Sequence, residues 1–238
     1  TAKQVFSQKS QIESEMRRVM DQQSRFIINE DISRSFTEKY ETMDKESRSR
    51  AVSRLAKSLY MVKNSNNMIA SARLYIPSLH MEIGSEGYYR TDLDEEEETI
   101  YDLAFRSKKF VFTYKGTLYS VASFLPSVTR SSSSCVLVEW STDMLPVLWA
   151  VREQGVEFIL FGDGFYSVSD MNSERGTAMW ENLKHIQADE LHPVIQERSY
   201  QGEKYIVSLV SVGNWLLRTV CCCRNRCFLP QDNQKAVG

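Results

Sequence analysis

Proline and glycine are scarce in this 238-residue chain, at five and ten residues, so little of it can serve as flexible linker. Charge of either sign is not in excess: 29 Lys and Arg face 31 Asp and Glu, a net charge of −2, which lacks the basic surplus of a nucleic-acid binder. Long hydrophobic runs are missing too. The longest candidate, Met144-Leu-Pro-Val-Leu-Trp-Ala-Val151, falls well short of the roughly 18 apolar residues that span a bilayer. Histidine occurs three times, at His80, His185 and His192, in no nucleophile frame. Gly-x-Ser-x-Gly, His-Glu-x-x-His and phosphate-binding loops are all absent, so the chain reads as a non-enzyme without a cofactor. What is present is a globular composition, 42% hydrophobic and 25% charged, with 11 Phe, 11 Tyr and 4 Trp, which excludes a disordered chain.

Four of the five cysteines lie in Cys221-Cys-Cys-Arg-Asn-Arg-Cys227. Adjacent cysteines do not turn their thiolates to one metal as a Cys-x-x-Cys spacing does, so no metal site is expected there. The β pattern reads as ending near Val220, and residues 221–238 read as a tail of unknown origin. Cys135, inside Cys135-Val-Leu-Val138, reads as a small core hydrophobe. A thiol hydrolase pairing it with a histidine is a rival that labelling would separate. The acidic run 92–98 lacks calcium-loop spacing and reads as a solvated helix start.

Ile12, Met16, Val19, Gln23 and Phe26 recur at steps of four, three, four and three, the seam of a helix about 40 Å long. Val52, Leu55, Leu59 and Val62 repeat the pattern, with a break near residues 31–35 and a stop at 64–67. After Asn67 the period becomes two: Met68, Ala70, Ala72, Leu74 and Ile76 alternate with Ser71, Arg73 and Tyr75, predicting a strand with one face in a core. Next come a returning strand over 80–89, a helix over 93–105, a hairpin of 110–114 with 118–125 around Lys115-Gly116, and a strand over 135–140. A helix from Ser141 to Val151 opens a second round: a hairpin at 156–168 turning at Gly162-Asp163-Gly164, a helix over 173–187, and strands over 204–212 and 215–220. Tyr114-x-Gly116-x-x-Tyr119 and Tyr200-x-Gly202-x-x-Tyr205 occupy equivalent turns in the two rounds. The predicted architecture is therefore α+β. A helical scaffold at 1–67 is succeeded by a lobe at 68–150 and a second lobe at 151–220.

Ala72-Arg-Leu-Tyr-Ile-Pro77, the Tyr114-Lys-Gly-Thr-Leu-Tyr119 hairpin, Val136-Leu-Val-Glu-Trp140 with Ser141-Thr-Asp-Met-Leu145, and Gly213-Asn-Trp-Leu-Leu-Arg-Thr219 resemble the double Cache domains of bacterial transmembrane sensor histidine kinases. The resemblance covers residues 1–220. It implies two tandem PAS-like lobes behind a long N-terminal helix. It also implies an extracytoplasmic position between two membrane helices, with Thr1 as the cut end of a membrane-anchored receptor. The implied function is ligand sensing, with any kinase output outside this chain and a chemoreceptor as the alternative. The amino-acid-binding members carry an Arg-x-Trp pair in the distal lobe, which is absent here, so the resemblance does not extend to an amino-acid ligand.

The candidate ligand site lies in the first lobe. Arg73 and Tyr75 share one face of their strand, Tyr119 and Ser123 share one face of another, and Tyr101 can reach in from the helix. An arginine among tyrosine hydroxyls suits an anionic or sugar-like small molecule. The helical seam also admits a homodimer, and a helical dimerisation module without a ligand is the rival reading.

Overall fold

The computed structural model describes residues 2–30, 36–106, 110–123, 134–144, 156–162, 165–168, 181–183, 185–212 and 217–224. The expected break at 31–35, the helix beyond Met144, the Asp163-Gly164 turn and most of the 173–187 helix lie outside these residues. The described chain groups into two compact units. One comprises residues 14–144; the other joins the chain up to Glu13 with the chain from Leu145 onward.

The order is α1 (Ala2–Glu30), α2 (Thr37–Tyr40), α3 (Lys45–Asn64), β1 (Ile69–Ile76), a 3-10 turn (Pro77–Leu79), β2 (Met81–Gly84), β3 (Tyr89–Arg90), α4 (Glu95–Arg106), β4 (Val111–Tyr114), β5 (Thr117–Ser123) and β6 (Cys135–Trp140). It continues with β7 (Val156–Gly162), β8 (Phe165–Val168), β9 (Val194–Tyr200), β10 (Glu203–Val212) and β11 (Leu217–Arg224). The α+β class with a long N-terminal helix is as expected.

Local chemistry explains where the helices begin. Asp44 caps α3, its Oδ1 accepting the Ser47 N–H at 2.8 Å. Asp94 and Glu97 form a reciprocal capping box ahead of α4: Asp94 Oδ1 accepts the Glu97 N–H at 2.9 Å and Glu97 Oε2 accepts the Asp94 N–H at 3.2 Å. Four glutamates fill the first turn of α4, where the helix dipole favours them.

In the 14–144 unit a six-stranded antiparallel sheet runs β3-β2-β1-β6-β5-β4. α1 and α3 cover one face and α4 the other. β1 therefore differs from its sequence reading. Its alternation predicted one buried face, yet everything from Ala72 to Ile76 is buried, because helices cover both sides. The expected 80–89 strand is split into β2 and β3 by a turn at Ser85-Glu86-Gly87, where Gly87 takes φ +88°. Lys115 and Gly116 both have positive φ, as the two-residue turn between β4 and β5 requires, and Gln201 and Gly202 repeat this between β9 and β10. The repeated Tyr-x-Gly motif thus marks two turns of one geometry.

The seam of α1 is consumed within the chain. Ile12, Met16, Val19, Gln23 and Phe26 are all buried, so they are not free to zip against a second copy.

The second unit is a five-stranded antiparallel sheet, β8-β7-β11-β10-β9, with a core of Ile159, Phe161, Leu183, Tyr205, Val207 and Leu209. Two features depart from the sequence reading. β9 is an additional strand, polar at Gln196-Glu197-Arg198 because it pairs on one side only, with β10. β11 continues past Val220 to Arg224, pairing Cys221, Cys222 and Cys223 with Ser208, Val207 and Ile206 on one side and with Phe158, Glu157 and Val156 on the other. Two neighbouring strands supply backbone partners beyond Val220, and a ladder satisfied on both sides outweighs the composition of the cysteine run.

Candidate functional site

Directly opposed residues of an antiparallel sheet share a face, so the register shows which of the candidate residues lie together. On the α4 side one row crosses five strands: Arg90 opposes Glu82, Glu82 opposes Tyr75, Tyr75 opposes Cys135, and Cys135 opposes Ser123. The next row sets Gly84 against Arg73, Arg73 against Leu137 and Leu137 against Val121. A third sets Ser71 against Glu139, Glu139 against Tyr119 and Tyr119 against Phe112. α4 lays Ile100, Tyr101 and Ala104 onto this face.

The sheet thus brings together Arg73, Tyr75, Tyr101 and Tyr119. The Tyr75 and Tyr101 rings stack with centroids 4.2 Å apart, and Tyr119 stacks on Phe112 at 5.4 Å. Ser123 ends the first row and is exposed. It lies at the rim of the face and makes no part of its buried cluster.

Two carboxylates organise the face, and the sequence reading missed both. Glu82 is fully buried. Its Oε1 accepts from Arg90 Nε at 3.0 Å, Arg90 Nη2 at 2.8 Å and the Tyr88 hydroxyl at 3.1 Å, while Oε2 accepts the Tyr101 hydroxyl and lies 3.8 Å from Arg73 Nη1. Glu139, with its side chain one-third exposed, accepts from Arg73 Nη2 at 3.2 Å and from the Ser71 hydroxyl at 3.3 Å. Glu97 reaches back from α4 to Arg90. The signal was a single acid inside each apolar strand, Met81-Glu-Ile-Gly84 and Val136-Leu-Val-Glu-Trp140, since a carboxylate there requires a cationic partner.

Arg73 is correspondingly not an exposed strand residue. Burial works against its charge, but Tyr101, Glu82 and Glu139 together more than offset this and hold its pKa above the ordinary arginine value. Its Nε is buried and has no hydrogen-bond partner among the described residues. Within the linked cluster, Arg73 and Arg90 face Glu82, Glu97 and Glu139, leaving one negative charge in excess. Burial, then the charge of Glu82, pushes the Tyr101 hydroxyl well above its ordinary value and the Tyr88 hydroxyl up to about 12. Burial and then Glu139 raise Tyr119. All three phenols stay neutral and able to donate at physiological pH. Cys135, fully buried in the same cluster, is pushed up to about 12, again by burial first. Such a thiol is a poor nucleophile, which removes the basis of the hydrolase reading.

A long helix leading into two antiparallel sheets, the first enclosed between helices, is the double Cache fold that the sequence resemblance implied. No protein-family model and no curated protein sequence matches the chain. Among solved structures it is similar to the ligand-binding domain of the Campylobacter jejuni chemoreceptor Tlp3 in complex with 4-methylisoleucine, at 13% identity and a TM-score of 0.59 over 99% of this chain and 93% of that one. It is also similar to the extracellular domains of two putative histidine kinases. For soHK1S-Z6 the identity is 14% and the TM-score 0.57, over 94% of this chain and 92% of that one. For rpHK1S-Z16 the values are 8% and 0.51, over 90% and 91%.

Proposed function

We propose that this chain is the extracytoplasmic ligand-sensing domain of a membrane signal-transduction receptor of the histidine kinase type, and that a small molecule binds on the α4-side face of the 14–144 unit. The observation behind this is the unpartnered Arg73 Nε, buried on a face built from stacked aromatic rings. A buried N–H without a partner costs about 1–3 kcal/mol, and an acceptor supplied by a ligand relieves that cost. Arg73, Tyr75, Tyr101 and Tyr119 form the site, with Ser123 at its rim.

The charge of the face narrows the ligand chemistry. A bare anion would have to share Arg73 with Glu82 and Glu139, whereas a sugar-like molecule accepts from Arg73 and donates to Glu139 at once. A homodimer through α1 would use its exposed face, Ser14, Arg17, Arg18 and Asp21, because the apolar seam is occupied.

Thermal-shift screening of the whole chain against sugars, organic acids and amino acids tests the reading. The expected result is a melting temperature that rises with the concentration of one compound class, with the rise lost in Arg73→Lys and reduced in Tyr119→Phe. No stabilising compound, or one whose effect both variants keep, overturns it.

A further inference from the structure

The reverse side of the same strands holds a buried polar cluster that the site does not use. Gln23 of α1 is fully buried. Its Nε2 donates to the backbone carbonyls of Ser120 on β5 and Val136 on β6, both at 3.1 Å. Its Oε1 accepts the Ser120 hydroxyl at 2.9 Å, and that hydroxyl accepts the Trp140 indole N–H at 3.0 Å. Ser120 and Trp140 are likewise buried. Every polar atom of the Gln23 amide head is engaged, and one helix side chain straddles two neighbouring strands.

The neighbours of Gln23 on the α1 seam, Met16, Val19, Phe26 and Ile27, are buried and apolar. Apolar contacts are non-directional and tolerate sliding, whereas three hydrogen bonds centred on a fixed amide do not. Moving the helix by one seam step would set Val19 or Phe26 against the Ser120 hydroxyl and the Trp140 N–H and leave both unsatisfied.

Strand side chains alternate between faces, so the residues flanking the two held carbonyls point to the candidate ligand face: Tyr119 and Val121 around Ser120, Cys135 and Leu137 around Val136. A displacement of β5 or β6 caused on the front is therefore a displacement of the two oxygens that Gln23 grips from behind.

We infer that Gln23 is a register pin that couples the ligand face to α1, so that a change on the β5–β6 front shifts the helix through its three hydrogen bonds to Ser120 and Val136. The inference rests on the proposed ligand face as the place where such changes originate. Its test needs no ligand.

Hydrogen–deuterium exchange of the full chain is measured for wild type, Val121→Ala, Gln23→Leu and the double variant, with Val121→Ala as the front-face perturbation. The α3 amides, which make no bond to Ser120 or Val136, serve as the internal reference. In the Gln23 background Val121→Ala should change exchange at residues 19–27 by about 2- to 30-fold relative to α3, and in the Gln23→Leu background this difference should vanish. A merely structural Gln23 would let α1 and α3 move together in both backgrounds, and that result overturns the inference. Should Gln23→Leu fail to fold, Ser120→Ala removes the hydroxyl link while keeping the backbone acceptors; it should shrink the α1-specific change, and an undiminished change is equally fatal. A coupled α1 with no compound found by thermal shift would sink the ligand reading alone, and a ligand found with an uncoupled α1 would sink the pin alone.

Discussion

Tyr101 on α4 donates its hydroxyl to the carboxylate of Glu82 on β2, and both side chains are fully buried. This bond ties the covering helix to the sheet at the point where two arginines also converge. The stability of the 14–144 unit is therefore concentrated in a few polar contacts as well as in its apolar layers.

Removing the donor should cost less than removing the acceptor. Tyr101→Phe leaves Glu82 with Arg90 and Tyr88 and should cost about 1.5–3 kcal/mol, the range for a hydrogen bond to a charged group. Glu82→Leu strands Arg90 beside Glu97 alone and Arg73 beside Glu139 alone, and should cost about 3–5 kcal/mol. Urea unfolding tracked by circular dichroism measures both, and the opposite ranking would refute the central role of Glu82.

Gly84 permits the position of Tyr88. A Cβ at residue 84 would lie 2.3 Å from the Tyr88 ring, so Gly84→Ala must displace that ring from Glu82. The Tyr88 phenol, pushed up to about 12 by burial and by Glu82, should then titrate closer to its ordinary value of 10.0. Because the folded pKa exceeds the unfolded one, the contribution of Tyr88 to stability is full below about pH 10 and is lost as the pH rises toward 12. Tyrosinate absorbance in wild type, Gly84→Ala and Tyr88→Phe resolves the transition.

Cys135 should stay unlabelled by a maleimide at neutral pH for as long as the chain is folded, and react once urea unfolds it. Its thiol is fully buried and pushed up to about 12 from an ordinary 9.0. Its stabilising contribution is accordingly present below about pH 9 and lost as the pH climbs to 12. Peptide mapping separates it from the cysteines of 221–227, and labelling at the rate of a free thiol in the folded chain would contradict the geometry.

Asp44 should hold the first turn of α3 only while ionised. The Ser47 N–H, together with the weaker contribution of the Ser47 hydroxyl, lowers its pKa below 3.8. The cap is thus complete above the ordinary carboxylate range and lost as the pH falls through the depressed value. Exchange at residues 45–48 should be near wild type in Asp44→Asn, which keeps an acceptor, and faster in Asp44→Ala at neutral pH.

The local parts of the fold were legible because their causes are local. The series Val52, Leu55, Leu59 and Val62 is buried as its spacing implies, and Lys115-Gly116 forms the tight turn that two positive φ angles demand. The site was half legible. Alternation put Arg73 with Tyr75 and Tyr119 with Ser123, but their partners Glu82 and Glu139 sit on other strands, and no pattern within one strand reveals what opposes it. Gln23 shows the same limit from the helical side. Its place on the seam could be counted, whereas its role depends on two carbonyls 97 and 113 residues away.

The sequence by itself determined the α+β order, the two matched turns and the faces of β1 and β5, all matters of neighbouring dihedrals and periodicity. Only the tertiary structure decided that β1 is buried on both sides, that Arg73 answers to two carboxylates, and that β11 runs on through Cys221, Cys222 and Cys223. The physical reason is common to all three. Burial, charge compensation and ladder hydrogen bonds are supplied by segments distant in sequence, and they exist only once the sheet has closed.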